Sequence, residues 1–531
     1  MDVYENIVVG AGPTGVATTA ALLSQGRRVL VLDAGRDLEP EIKGQVERLR
    51  DKSPTEWQPS DLRFLKDRLR ATASGFDLKL SYGSDFCYRW DDARTDFVSL
   101  QRPPISPSFA VGGLSRAWGA GALPFSVADL EGWPIAYGDL ASLFPAVKKL
   151  IPYAATSDDL TKLHPLSGDL ASPLQLSEPA RRFLSDATTN PRVASAGITV
   201  GSSRLAVESG PCVYCGLCLY GCPYGLIWNA TDTLGRLTAA YRSLLEYRSG
   251  WIVDSVHEAA EQVELTCHHR DMAGQRTFRA ARVFLAAGVI QSTKIMLRSL
   301  GRYDEPVILR DSQYFVFPFL RWKGTAVLKE SVHTLAQLFL ELRDPYVCAK
   351  PVLLSIYSYN DQMLKVIQEA IPFLGPGAAP VARALAGRLL VFGGYLHSDY
   401  SSTLRLVLER DGDGRDRLVL SHEINPLAAA IAQRAVRALA RLWRPLRGVP
   451  VLPMLRVKDP GTAYHFGGSF PMTSRPLRNF ESDRLGRPRG FSRVFLTDAS
   501  NFPTIPASTI TFNAMANAYR IALASTRGNP V

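Results

Sequence analysis

The sequence predicts an α/β protein: a dinucleotide-binding βαβ unit at its start, followed later by a region of antiparallel sheet. Three observations carry this. Over residues 7–33 an apolar run, a Gly-x-Gly-x-x-Gly turn, a helical stretch, a second apolar run and an acid follow in that order. Residues 403–424, TLRLVLERDGDGRDRLVLSHEI, alternate apolar and polar positions on both sides of a Gly/Asp turn, the pattern of a hairpin. The 531 residues, 46% hydrophobic and 21% charged, have the composition of a globular chain long enough for two to four domains.

In the N-terminal unit, Ile7 to Val9 reads as a buried strand, VATTAALLSQG as a helix ending at Gly26, and Val29 to Leu32 as a second strand. Gly10 permits the tight strand-to-helix turn, Gly12 lets backbone approach a pyrophosphate at the helix N-terminus, and Gly15 lets helix and strand pack closely. Asp33, 23 positions after Gly10, is placed to accept hydrogen bonds from a ribose hydroxyl.

The net charge of +11 comes from arginines scattered along the chain. Only RPLRNFESDRLGRPRGFSR (475–493) is dense, and it lacks the aromatic spacing of a nucleic-acid platform, so a solvated basic surface is expected, with membrane contact at most peripheral. The chain enters a strand without a cationic or apolar leader, and no apolar run approaches the ~20 residues of a bilayer span. A cytoplasmic protein is the expectation. Cys87, Cys267 and Cys348 are isolated, and a secreted disulfide framework is not indicated.

The other four cysteines lie in GPCVYCGLCLYGCPYG (210–225). Cys212, Cys215, Cys218 and Cys222 read C-x2-C-x2-C-x3-C-P, the spacing with which bacterial-type ferredoxins ligate iron–sulfur clusters. Gly216, Gly221 and Gly225 permit the positive-φ turns that bring successive sulfurs together. In two-cluster ferredoxins the fourth cysteine serves the other cluster, so a lone run implies a three-iron cluster, four thiols in altered geometry, or a ligand recruited from Cys87, Cys267 or Cys348. Structural thiols and a zinc site are the alternatives.

Four further segments resemble, in order, the glucose–methanol–choline (GMC) family of FAD-dependent oxidoreductases. VGGLSRAWGAGALPF (111–125) is similar to the family's Gly-Gly-x-Ser loop beside the flavin, and GWPIAYGDLASLFPAVKK (132–149) to its Trp-Pro-Ile helix. AARVFLAAGVIQSTKIMLRS (280–299) resembles the Ala-Ala-Gly segment. YHFGGSFPM with RVFLTDASNFPTIPASTITFNAMANAYRIA (464–472 and 493–522) resembles the C-terminal block. The resemblance implies FAD bound by a Rossmann-like domain assembled from residues 1–40, 105–150, 200–300 and 460–531. An α+β substrate domain with an antiparallel sheet would come from residues 41–104, 151–199 and 301–459. It also implies cofactor contacts from Gly112, Gly113, Ser115, Ala287, Gly288 and Asp498, the last near the ribityl chain.

His465 stands at the family's catalytic histidine position, and a neutral imidazole suits removal of an alcohol proton at neutral pH. The second catalytic position, usually Asn or His, falls on Thr509, which is no base at neutral pH. Thr509 would then orient the substrate hydroxyl, or Asn513 one turn later would reach in. Some sugar dehydrogenases of the family carry a cysteine-rich segment here together with an iron–sulfur cluster.

Residues 300–460 match nothing in the family. PVLLSIYSY (351–359) reads as a strand, and residues 363–392 as helix, Pro/Gly break and helix. The Gly/Asp turn of the hairpin fails as a calcium loop, because Arg415 and His422 occupy ligand positions. The leading expectation is an FAD-dependent dehydrogenase oxidising a CH–OH group of a sugar or polyol, with electrons leaving through a cluster to a protein or quinone. An alcohol oxidase or biosynthetic dehydrogenase with structural thiols, and a catalytically silent flavoprotein, are the competing ones.

Overall fold

The computed structural model describes residues 3–66, 79–100, 105–166, 168, 170–327, 330–360, 375, 378–412 and 414–526. Strand β1 (Val3–Val9), helix α1 (Pro13–Ser24) and strand β2 (Val29–Asp33) form the N-terminal βαβ unit. β1 and β2 run parallel with Ile7 opposite Leu30 and Val8 opposite Val31. Ile7, Val8, Leu30 and Leu32 are fully buried, because covering both faces of a parallel sheet demands a continuous apolar run. Leu245–Ser249 continues the sheet beyond β2, and Gln275–Leu285 pairs parallel with β1 on the other side. That long strand also turns back through an antiparallel meander, Trp251–Glu258 and Val263–His269, and receives Val494–Leu496 in parallel at its end. The C-terminal helix Thr511–Ser525 packs along α1, sharing its apolar cluster.

A second sheet is wholly antiparallel, in the order 448–450, 314–321, 389–395, 352–357, 338–342 and 198–202, with Arg456–Val457 beside 314–321. One face carries Phe315, Phe317, Phe319 and Phe392 against helices Glu178–Thr189 and Pro426–Arg441. The other presents Phe339, Leu353, Tyr357 and Tyr395. The expected strand over 351–359 is Val352–Tyr357. The expected second helix corrects to Ala378–Ala386: Leu389–Tyr395 is instead an interior strand, whose two buried glycines 393 and 394 leave room for the Tyr314 and Phe315 rings of its neighbour. The first expected helix of that stretch falls largely outside the described residues. Ile198–Ser202 straddles the expected boundary at residue 200.

The third sheet holds the expected hairpin, Thr403–Arg410 with Asp416–Glu423, flanked by Val307–Asp311 and Phe466–Gly467 on one side and Thr95–Ser99 on the other. A buried ion network joins it to the first sheet. Lys294 pairs with Asp92, and Arg298 with both Asp254 and Asp416, while Arg94 and His268 also meet Asp254. Asp92, Asp254 and His268 are close enough for a cation, but three basic side chains already neutralise these carboxylates. Among the described residues no helix is long and apolar enough to cross a membrane.

Candidate active site

The glycine turn after β1 is built as the motif requires. A Cβ on Gly10, whose φ is +99°, would lie 2.5 Å from the Ala286 carbonyl oxygen, and one on Gly15 would lie 2.0 Å from that of Gly10. Gly12 is different: a Cβ there meets no atom within 4 Å, so this face of the turn is open at the helix N-terminus. Gly112 and Gly113, with φ of +84° and +58°, bring the second glycine loop over it. Ser115 pins that loop, its Oγ donating to the Gly112 carbonyl and accepting from Ala230 N at 3.0 Å. Asp33 accepts from Ala11 N and Gly35 N, each at 2.7 Å, and burial pushes its pKa up to about 6.

Ala287 and Gly288 lead into helix Val289–Ser299. Asp498 joins this turn to the C-terminal block by accepting from Ser292 Oγ, Gly288 N and, at 3.0 Å, Ser500 N. Its burial raises its pKa.

His465 sits just before the short strand Phe466–Gly467. Its carbonyl accepts from Ser312 N at 2.9 Å, and its ring stacks on Tyr395 with centroids 4.8 Å apart. Gly467 and Gly468 pass so close to Ala499 and Phe502 that a Cβ would lie 2.3 and 2.8 Å from their carbonyl oxygens. The residue is half-buried, yet its Nδ1 is fully buried with no hydrogen-bond partner among the described residues. Burial lowers its pKa to about 4, which keeps the imidazole neutral.

Tyr395 packs in one apolar cluster with Leu123 and Ala507, and so connects His465 to the neighbourhood of Thr509. Thr509 and Asn513, however, direct their polar atoms at backbone. Thr509 Oγ1 accepts from Leu123 N at 2.8 Å. Asn513 Oδ1 accepts from Phe125 N at 2.7 Å, and Nδ2 donates to the carbonyls of Leu123 and Thr509, both at 2.9 Å. One amide donor thus helps hold the 123–125 segment, and the other is engaged by the Thr509 carbonyl one helical turn earlier. Asn513→Leu would strand an N–H and two carbonyls in the core, and thermal or denaturant unfolding should show a loss of about 3–5 kcal/mol.

All seven cysteines are unpaired. The thiol segment is held by Tyr82, whose hydroxyl donates to the Cys222 carbonyl at 3.0 Å, by Arg50 on the Pro223 carbonyl at 3.0 Å, and by Thr334 on Leu219 N at 3.2 Å. Gly221 is obligatory, since a Cβ would enter the Tyr82 ring at 2.7 Å. Backbone N–H groups of Tyr214, Leu217 and Thr334 face the sulfurs of Cys212, Cys215 and Cys218. No three of the sulfurs lie within 4.8 Å of one another, whereas tetrahedral zinc would set them about 3.8 Å apart. The donor set, four thiols with amides aimed at them, fits a polynuclear cluster, which spreads its ligands more widely. Cys267 lies in the core of the nucleotide sheet and Cys348 beside the second sheet, while Cys87 shares an apolar cluster with Tyr82. Cys212 and Cys218 pack with Trp118 and Ala120, next to Gly121, whose Cβ would meet Thr509 at 2.9 Å. The thiols therefore back onto a wall of the same site.

Sequence reading missed Tyr395 and Asp311. Asp311 accepts from Gly461 N at 2.9 Å, its other oxygen has no partner among the described residues, and burial pushes its pKa up to about 7. Both belong to the stretch without a recognisable motif. The only signal for Asp311 was an acid beside Arg310 at the end of an apolar strand run, VILRD.

No family model matches the chain, and no curated protein matches it. Among solved structures it is similar to the crystal structure of pyridoxine 4-oxidase from Mesorbium loti, with a TM-score of 0.59 and 16% identity over 98% of each chain. The chain has that oxidase's fold. It is the architecture expected from the resemblance to the GMC oxidoreductases, and it extends through residues 300–460, where no sequence motif was legible.

Proposed function

We propose that the protein is an FAD-dependent dehydrogenase that oxidises a CH–OH group of a sugar or polyol. The observation that carries this is His465: a neutral imidazole, fixed by Tyr395 and Ser312, with a buried Nδ1 that has no hydrogen-bond partner among the described residues. Bound FAD supplies the hydride acceptor. The open face of Gly12 and the N-terminus of α1 receive the pyrophosphate, and the remaining lone pairs of Asp33 accept from a ribose hydroxyl. His465 takes the hydroxyl proton of the substrate. Tyr357, Tyr395 and Phe339 give the substrate side an aromatic, water-excluding wall.

Cys212, Cys215, Cys218 and Cys222 would hold an iron–sulfur cluster, which supplies a one-electron exit to a protein or quinone acceptor. Burial raises the pKa of Cys212, Cys215 and Cys218, so loading it displaces protons. Anaerobically purified protein should contain three or four irons and matching sulfide per flavin, and Cys218→Ser should lose them while retaining FAD. Sugars or polyols should bleach the flavin without oxygen; a panel that leaves it oxidised overturns the substrate class. The oxidase reading, favoured by the likeness to pyridoxine 4-oxidase, predicts instead protein free of iron and rapid peroxide release on adding alcohol.

A further inference from the structure

One edge of the second sheet carries a charge and side-chain pattern that the redox chemistry does not use. Three separate stretches of chain meet there, residues 312–327, 378–398 and 424–458, and none contains an aspartate or glutamate. The last alone contributes six arginines, its lysine, Lys458, being buried. On helix Pro426–Arg441 the buried side chains are Ala428, Ile431, Ala432, Ala435, Val436 and Leu439, whereas Arg434, Arg437 and Arg441 are exposed. Their spacing of three and four places them in one stripe along the outer face, which Arg444 extends past the helix end.

The stripe leads to two exposed tryptophans. Trp322 and Trp443, 45% and 43% exposed, meet edge to face with centroids 6.4 Å apart, and the Arg444 guanidinium lies 4.7 Å from the Trp443 ring centre. The platform beneath them is tied together by backbone. Trp322 N donates to the Arg447 carbonyl at 3.0 Å, Gly448 N to that of Trp443 at 3.1 Å, and Arg321 N to that of Arg388 at 2.9 Å, while Arg388 bonds the Trp322 carbonyl. Asp186, the acid that meets this edge, is engaged by Arg321 and Arg447. Leu452 and Met454, 38% and 43% exposed, follow in the 3-10 turn just after the edge strand Gly448–Pro450.

We infer that this edge docks on an anionic lipid bilayer. Indole rings flanked by guanidinium groups match the boundary between headgroup and acyl chain, where the ring sits at the interface and the cations meet lipid phosphates. Each Lys or Arg near such a surface adds attraction that decays within a Debye length. A nucleic acid would use the same cations, but a T-shaped tryptophan pair offers no parallel platform for stacked bases. The inference is independent of the reaction assigned above.

The test uses the full-length purified protein and vesicles of phosphatidylcholine with about one-third phosphatidylglycerol, against pure phosphatidylcholine. Co-sedimentation should be strong on the anionic vesicles, weak on the neutral ones, and lost when salt rises from about 0.05 to 0.5 M. Tryptophan emission should shift to shorter wavelength on binding. The triple variant Arg437→Glu/Arg441→Glu/Arg444→Glu should weaken binding more than tenfold, and Trp322→Ala/Trp443→Ala should remove the emission shift. Arg475→Glu/Arg478→Glu/Arg489→Glu, at three exposed positions outside these stretches, serves as the charge-matched control, and unfolding temperature shows that each variant is folded. The inference is overturned if anionic vesicles are not bound, if the folded patch variants bind like the parent, if the same substitutions instead dissociate a dimer in solution, or if an oligonucleotide displaces the vesicles.

Discussion

His465→Ala should retain its flavin and lose the rate of flavin reduction by alcohol by about 10²–10⁴-fold, the usual contribution of a positioned general base. Retention is expected because His465 contacts the chain through its carbonyl and through stacking on Tyr395, neither of which builds the glycine cradle. The parent's pH profile should carry the mark of burial. A base works in its neutral form, and burial lowers the folded pKa to about 4, so kcat/KM should stay flat down to about pH 5 and fall below that as the imidazole protonates. Stopped-flow reduction under nitrogen between pH 4 and 9 reads this directly. An acid limb near the ordinary histidine value of about 6.5 would place the ring in contact with water and contradict the packing.

Gly15→Ala should be at least as severe, acting on the fold. The new Cβ would lie 2.0 Å from the Gly10 carbonyl oxygen, a backbone atom that cannot yield without prising α1 from β1. A cost above ~3 kcal/mol and loss of bound flavin are expected, read by unfolding temperature and by absorbance after desalting. Gly12→Ala separates architecture from ligand. Nothing lies within 4 Å of its Cβ, so stability without cofactor should be unchanged while flavin retention falls, because the added methyl occupies the approach of the pyrophosphate.

The nucleotide end was legible because strand, glycine turn, helix, second strand and acid all fall within residues 7–33, although the carbonyl that crowds Gly10 belongs to distant Ala286. The hairpin at 403–423 was legible because alternation and turn chemistry are also local. Leu389–Tyr395 was misread because an apolar run following a helical segment has no period of its own, and its strand identity is set by neighbours at 314–321 and 352–357. The site followed the same division. His465 carried a motif, whereas the helical spacing of Asn513 places it near the site without revealing that Leu123, Phe125 and Thr509 engage its amide. Tyr395 and Asp311 depend on strand pairings between distant segments, which residue pattern does not encode.

The parallel pairing of Gln275–Leu285 with both β1 and Val494–Leu496 sets a timetable for the newborn chain. A ribosome adding 5–20 residues per second needs roughly 14–55 s between finishing β1 and delivering Gln275–Leu285, and roughly 10–40 s more to deliver Val494–Leu496 to that strand's far end. Until Leu245–Ser249 and Gln275–Leu285 arrive, β1 and β2 have one another but no covered outer edge, and Arg298 then awaits Asp416 and the closure of the third sheet. The cell must shelter a half-made sheet for many seconds, so yield in a recombinant host should depend on chaperone supply and slow translation more than on the stability of the finished protein.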